Sequence, residues 1–414
     1  MVPAACAICT GRRRFCIHRS YPLPASFAIE QAVRAKLSQD FFGPSTSVFI
    51  GSHGYPNVRA GPLAALEQLP DLENPAAWVG KSYAEIITLR SMLLRSEQLS
   101  AVTERSRFTR TLQELALAEL PPDTELRFSK VPRYRFTLSD SLQPMGPSGL
   151  LEQMRVAENV RIAPAVERIA SDELTAAQAT AALYSSGQDV YKITAILSSG
   201  ALGIGARRKL VPTRWSITAT DDQVAKALLE EVRQFPQLRE PLVGEATFMD
   251  NHFVQLFLPG AWEFENFETW VPGSNWFEGS LHPTGKLFRT PRYNAIQEHE
   301  PFAGRTNYAE SQAGGYYASR IAAVELLHRL RRQARVISFR EVGDGYAIPL
   351  GVWLVRETAR RATQNLRAFS SAEEALAHAR SRLRVPWARY CEQSALLDRK
   401  TLADFLRPRA RARS

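Results

Sequence analysis

The chain has 414 residues, 45% apolar and 23% charged, with a formal net charge of +10. That length can bury a large core in one to three domains, and the balance is that of a folded chain rather than a disordered one. No apolar run reaches about 18 residues, and the start MVPAACAICTGRRRFC lacks an apolar signal core, so no membrane partner is expected and the cytoplasm is the expected location.

The charge is uneven. Residues 1–29 hold four arginines and no acid, and residues 377–414 hold nine arginines and one lysine against Glu392, Asp398 and Asp404, so the body between is nearly neutral. Basic ends on a neutral body point to a polyanion as partner. Three of the four cysteines fall in the first sixteen residues, which is metal-site usage rather than a disulfide framework. Cys6 and Cys9 form a C-x2-C knuckle, Cys16 returns after Gly11, and His18 is the candidate fourth ligand, with Cys391 or a water as rivals. Four filled corners would make a structural Zn2+ site, and Arg12, Arg13 and Arg14 in its loop would face outward toward phosphates.

Residues 27–40 have helical spacing, with Ile29, Val33 and Leu37 on one face. TSVFIGSHGYPNVRAGPL then reads as a strand running into a constrained loop that carries His53, Tyr55, Asn57 and Arg59. It matches neither a Rossmann nor a phosphate-loop fingerprint. Helical patterns are expected over 83–97 and 108–119, an extended segment over 126–138, a turn at Met145–Gly149, and three helices within 150–198 with a break at Gly187.

The stretch ALGIGARRKLVPTRWSITATDD, residues 201–222, combines two glycines, the triplet Arg207, Arg208 and Lys209, a Pro-Thr-Arg-Trp turn with Arg214, and the pair Asp221 and Asp222. Alternation at Trp215, Ile217 and Ala219 suggests a short strand, and Thr220 with Gln223 makes a capping box for a following helix. Cations beside a helix N-terminus suit a phosphate-bearing partner.

In the second half HFVQLFL (252–258) is an expected strand. In WEFENFETW an extended chain puts Glu263 and Glu265 on one face and Phe264 on the other. A helix is expected from Gly314 to about Arg332, with Tyr308, Tyr317 and Arg320 as candidate nucleotide-pocket residues. VISFREV and YAIPLGVWLVRE read as a hairpin around Gly343-Asp344-Gly345. Asp221, Asp222, Glu263, Glu265 and Glu341 are the carboxylates that would have to converge on Mg2+ or Mn2+ in a nuclease, although Glu341 lacks the E-x-K context. In the tail, Gln393, Leu396 and Leu397 of QSALL fit the Q-x-x-L-[FL] pattern for a sliding-clamp groove, and Arg409, Arg411 and Arg413 extend the basic end.

CAICTGRRRFC, SVFIGSHGYPNVRAGPL, LSSGALGIGARRKLVPTRWSITATDD, LPGAWEFENFETW, GRTNYAESQAGGYYASRIAAVELL and IPLGVWLVRE occur in this order. Together they resemble the archaeal Nre family, of which this chain looks like a bacterial-like divergent member. The resemblance covers nearly the whole chain and implies a role in the DNA damage response with a C-terminal motif for the replication sliding clamp. The family head continues to a fourth cysteine that is missing here, and only Phe405 stands where the family's clamp motif has paired aromatics.

The resulting expectation is an α+β fold with a zinc-knuckle head on a mixed helix/sheet body. It is divided into a head at 1–25, an α/β part at 26–145, an α+β part at 146–375 and a basic tail at 376–414. The expected function is DNA binding in repair, with a metal-dependent nuclease or other DNA- or nucleotide-processing enzyme, or a metabolic enzyme on a small phosphorylated substrate, as alternatives.

Overall fold

The computed structural model describes residues 23–136, 143–272, 274, 294–346 and 348–397. After α1 (Leu23–Arg34) come strands β1 (Asp40–Ile50) and β2 (Asn57–Ala65), helix α2 (Tyr83–Ser91), β3 (Leu93–Ala101), α3 (Arg107–Leu117), β4 (Asp123–Phe128) and β5 (Ser148–Val156). The five strands close into a barrel in the order β1-β2-β3-β5-β4. All neighbours are antiparallel except the parallel β3–β5 pair.

Closure depends on β1. Its first half, Asp40–Pro44, pairs with β4, its second half pairs with β2, and the register shifts between Ser45 and Ser47. A bulge of this kind bends one strand so that it can serve two neighbours. At Gly61 a Cβ would lie 1.4 Å from the Ser96 carbonyl oxygen, so β2 and β3 approach closely only because that residue has no side chain. Val58 and Ala60 point inward with Val48 and Ile50, and Leu112, Leu115 and Ala116 of α3 plug that end. A capping box of Ser106 and Thr109 starts α3. Strand order, the single parallel pair and a helix between β3 and β4 make this an OB-type barrel.

Helices α4 (Pro164–Ser171), α5 (Ala176–Ser185), α6 (Val190–Ser198) and α7 (Thr213–Val232) follow. Next come β6 (Leu242–Phe248), β7 (Asn251–Leu258), β8 (Glu263–Trp270), β9 (Asn294–Glu300), α8 (Gly314–Leu330), β10 (Arg335–Val342), α9 (Val352–Ala362), β11 (Leu366–Ala368), α10 (Ala372–Arg382) and α11 (Trp387–Cys391). The second sheet has the order β11-β6-β7-β10-β8-β9, with β8 and β10 parallel. Phe253 packs under α8 and α9 on one face, while Val254, Leu256, Phe267 and Phe339 pack under α10 and Tyr390 on the other. Cover on both faces explains why HFVQLFL is almost continuously apolar. Helix α6 contacts β1 and α3 on one side and α7 on the other, and α7 in turn packs on α8. The helices therefore form the layer between barrel and sheet.

Four expectations are corrected. In place of a zinc-knuckle head on an α+β body, the chain is a mixed α/β fold with a five-stranded barrel. Cys6, Cys9, Cys16 and His18 lie outside the described residues. Among the described residues no group of three or more His, Cys, Asp or Glu is placed to hold a metal ion, and the expectations of Zn2+, Mg2+ or Mn2+ are withdrawn with the zinc-finger assignment. The expected strand at 215–219 and cap at Thr220 are instead the first turns of α7. Its buried face carries Ser216, Thr220 and Asp221, so polar residues hid the helical period. The hairpin's second strand is α9, buried over most of its surface, and the short apolar run Val352–Val355 that opens it cannot be told from a strand by periodicity alone.

Candidate nucleic-acid interface

The β1–β2 loop rims the barrel end that α3 plugs, and the 201–215 stretch is fastened to that rim. The Val102 amide donates to the Pro56 carbonyl, and the Leu210 amide to the Val102 carbonyl, at 2.9 and 2.8 Å. The chain of residues 208–211 thus runs on from the barrel's edge. The Ile50 amide donates to Thr213 Oγ1 at 3.0 Å, tying the end of β1 to the first turn of α7. Tyr55 packs on Trp215 with ring centroids 5.0 Å apart and planes at 55°, and Lys209 Nζ lies 3.4 Å from the Tyr55 hydroxyl. Two sequence blocks far apart in the chain are therefore one surface.

That surface is aromatic and basic. Tyr55 is 42% exposed, Trp215 46% and Tyr308 50%. Tyr308 stacks on Tyr317 at 5.4 Å and 27°. Burial raises its hydroxyl pKa, against a hydrogen bond with Thr218 and the nearby charge of Arg214, both of which lower it. Thr218 is one turn along α7 from Arg214 and Trp215, so all three share a neighbourhood. Arg207, Lys209 and Arg214 are exposed, as is Arg59. Arg59 stands opposite Leu99 across β2 and β3, and its guanidinium is 3.5 Å from Glu97. On the same barrel wall the Arg95 guanidinium sits 5.6 Å over the Phe49 ring.

Arg208 differs from its neighbours. It donates from Nε to the Gly203 carbonyl and from a terminal nitrogen to the Ala170 carbonyl, both at 2.7 Å, and so braces the loop. Behind the loop is a cavity of about 460 Å3 lined by Arg105, Arg110, Arg208 and Lys209 but also by Glu104, Asp172 and Glu173. Its mixed sign does not select for an anion. The sequence does not mark Trp215 as a binding residue, because the partner that gives it meaning, Tyr55, lies in another block.

The five carboxylates do not converge. Asp221 is buried and accepts two bonds from Arg356, at 2.8 and 2.7 Å. Asp222 pairs with Lys226 at 2.7 Å and with Arg320 at 3.1 Å, and Arg320 is held by buried Glu300 at 2.8 Å. Glu263 lies 3.2 Å from His299 Nε2. Glu265 accepts from Gln297, Ser394 and the Ala395 amide at 2.5–2.6 Å. Glu341 accepts from the Arg384 and Val385 amides and from the Tyr390 hydroxyl. Each is occupied in holding one element to another. Of the nucleotide-pocket candidates, Tyr308 is on the surface described above, whereas Arg320 is buried in its ion pairs.

In the tail, Gln393 is exposed but Leu396 is 3% exposed in the core beneath the sheet. Arg12, Arg13, Arg14, Arg409, Arg411 and Arg413 lie outside the described residues.

Fold and surface define an OB-barrel protein with an aromatic, basic barrel mouth. The description "Archaeal Nre, N-terminal" matches residues 15–277 and "Archaeal Nre, C-terminal" matches residues 300–405, and the chain belongs to the archaeal Nre family. It is 34% identical over 410 residues to DNA repair protein NreB of Archaeoglobus fulgidus, covering 97% of this chain and 100% of the relative. DNA repair protein NreA of the same organism is 33% identical over 412 residues, covering 98% and 99%. NreA of Haloferax volcanii is 35% identical over 332 residues, covering 77% of each. No solved structure matches the chain.

Proposed function

We propose that this protein acts in DNA repair, as its relatives' names indicate for them, and that it binds DNA at the barrel mouth. The observation that carries the reading is the joining of the β1–β2 loop to the basic 205–215 stretch, which sets Arg207, Lys209 and Arg214 around exposed aromatic rings. Cations held there would displace condensed counterions from phosphates, and the basic ends add to the same attraction. A nuclease is no part of the proposal, since its candidate carboxylates are each engaged elsewhere. Neither is clamp recruitment through Gln393, Leu396 and Leu397, because Leu396 is packed inside.

Fluorescence polarisation over a range of salt concentrations tests the reading. Affinity for DNA should fall steeply with salt. Changing Arg207, Lys209 and Arg214 together to Ala should weaken binding and flatten the log–log slope by about 2 to 3. Exposed arginines contribute little to stability, so the melting temperature should hardly move. An unchanged affinity and slope in that variant would remove DNA binding from this surface.

A further inference from the structure

We infer that the barrel mouth selects single-stranded DNA, stacking unpaired bases on Tyr55, Trp215 and Tyr308 while Arg59, Lys209 and Arg214 follow the backbone. This deepens the proposed function and rests on it. Three large aromatic rings stand about half exposed within one neighbourhood, where burial of each would otherwise favour folding. None is loose. Trp215 starts a helix and leans on Tyr55, Tyr55 is flanked by Lys209, and Tyr308 is backed by the Tyr317 ring. Rings fixed in this way lose little entropy when a base stacks on them.

The choice of strand state follows from where base faces are found. In a duplex they are covered by neighbouring bases, and proteins reach only the groove edges. In a single strand the faces are free, and every base has one, so an aromatic platform binds without regard to sequence. The position agrees with the chemistry. In OB-type barrels the β1–β2 loop and the outer face of β2 and β3 are the surfaces that take oligonucleotides. Here that loop carries Tyr55, and the adjoining wall carries Arg59 beside Leu99, 65% exposed, and Phe49 under Arg95. The wall thus continues the pattern of cation beside apolar group, with Glu97 set between Arg59 and Arg95 at 3.5 and 3.4 Å.

The test compares a labelled oligonucleotide of about 15 nucleotides, a length suited to one OB barrel, with its own duplex, using the full chain at one salt concentration. The single strand should bind about tenfold tighter. Trp215→Ala should weaken single-strand binding about tenfold, the effect of losing one stacked base, while changing duplex binding less than about twofold. Trp215→Phe should restore most of the loss. If Trp215→Ala melts early, Tyr308→Ala carries the same expectation from a ring outside the Tyr55–Trp215 pair. Duplex binding as tight as single-strand binding, with the three-cation variant still weakened, would overturn the inference and leave the DNA-binding reading intact. Single-strand binding that survives Trp215→Ala and Tyr308→Ala combined would do the same. No binding to either form at low salt would remove both.

Discussion

Asp221 and Asp222 are neighbours in sequence with opposite surroundings, because successive residues on a helix point about 100° apart. Asp221 is fully buried against Arg356, whose guanidinium also lies 5.1 Å over the Tyr191 ring. Burial alone would lower the Arg356 pKa. The adjacent Asp221 carboxylate more than offsets this, and the pKa rises. Removing the carboxylate leaves a buried cation without its counter-charge, so Asp221→Asn should cost about 3–5 kcal/mol in urea denaturation. Asp222→Asn should cost about 1 kcal/mol or less, since Arg320 keeps Glu300 and Lys226 is half exposed. Equal losses from the two substitutions would contradict this account. The sequence marked both aspartates but offered no sign of which was inside. The partner Arg356 sits on α9, and only folding brings α9 beside α7.

At the scale of elements, the C-terminal segment is strapped to the sheet by two glutamates that face it from below. Glu341 on β10 takes the Arg384 and Val385 amides at 2.8–3.0 Å and the Tyr390 hydroxyl at 2.8 Å, and Glu265 on β8 takes Ser394 and the Ala395 amide. Both glutamates are fully buried, so losing either strands several donors. Glu341→Ala should speed hydrogen exchange across 384–397 about tenfold or more, with the barrel amides unaffected. Exchange that stays slow there would show that apolar contacts of Tyr390 and Leu396 hold the segment by themselves. Glu263 and Glu265 do share a face, as alternation along a strand requires, and that much was legible. What each carboxylate does was not, because its partners lie 32 to 130 positions away in the chain. The same distance effect hid the barrel. Its strands were partly visible as apolar runs, but β3 follows α2 with no turn residue between them and was absorbed into one helical stretch.

The whole molecule joins its barrel to its helical layer across a seam of partly buried charge. Glu73, just before the 3-10 turn at Pro75–Trp78, meets Thr46 of β1. Lys192 of α6 donates to the Ala118 carbonyl beyond α3, and Arg90 at the end of α2 donates to the Pro144 carbonyl at 2.8 Å. Burial raises the Glu73 pKa from 4.5 to about 7, even though Thr46, Arg90 and Lys192 pull it down. Burial also lowers Lys192 from 10.5 to about 8, against Asp189 and Glu73. For Glu73 the folded value lies above the unfolded one, so its contribution is fully present below about pH 4.5 and is lost as pH rises through about 7. For Lys192 the order is reversed, and its contribution is present above about pH 10.5 and is lost as pH falls through about 8. The two effects place the seam's weakest point between pH 7 and 8. Measured by urea denaturation, Glu73→Gln should gain on the parent protein by about 2 kcal/mol as pH is raised from 5 to 8. In Lys192→Met the gap should move the other way, the parent regaining stability between pH 8 and 10. Taking differences between variant and parent cancels the many carboxylates and arginines that titrate elsewhere. A Glu73→Gln difference that stays flat from pH 5 to 8 would mean that Arg90 and Lys192 already hold Glu73 ionised, and that the seam is an ordinary ion-pair network.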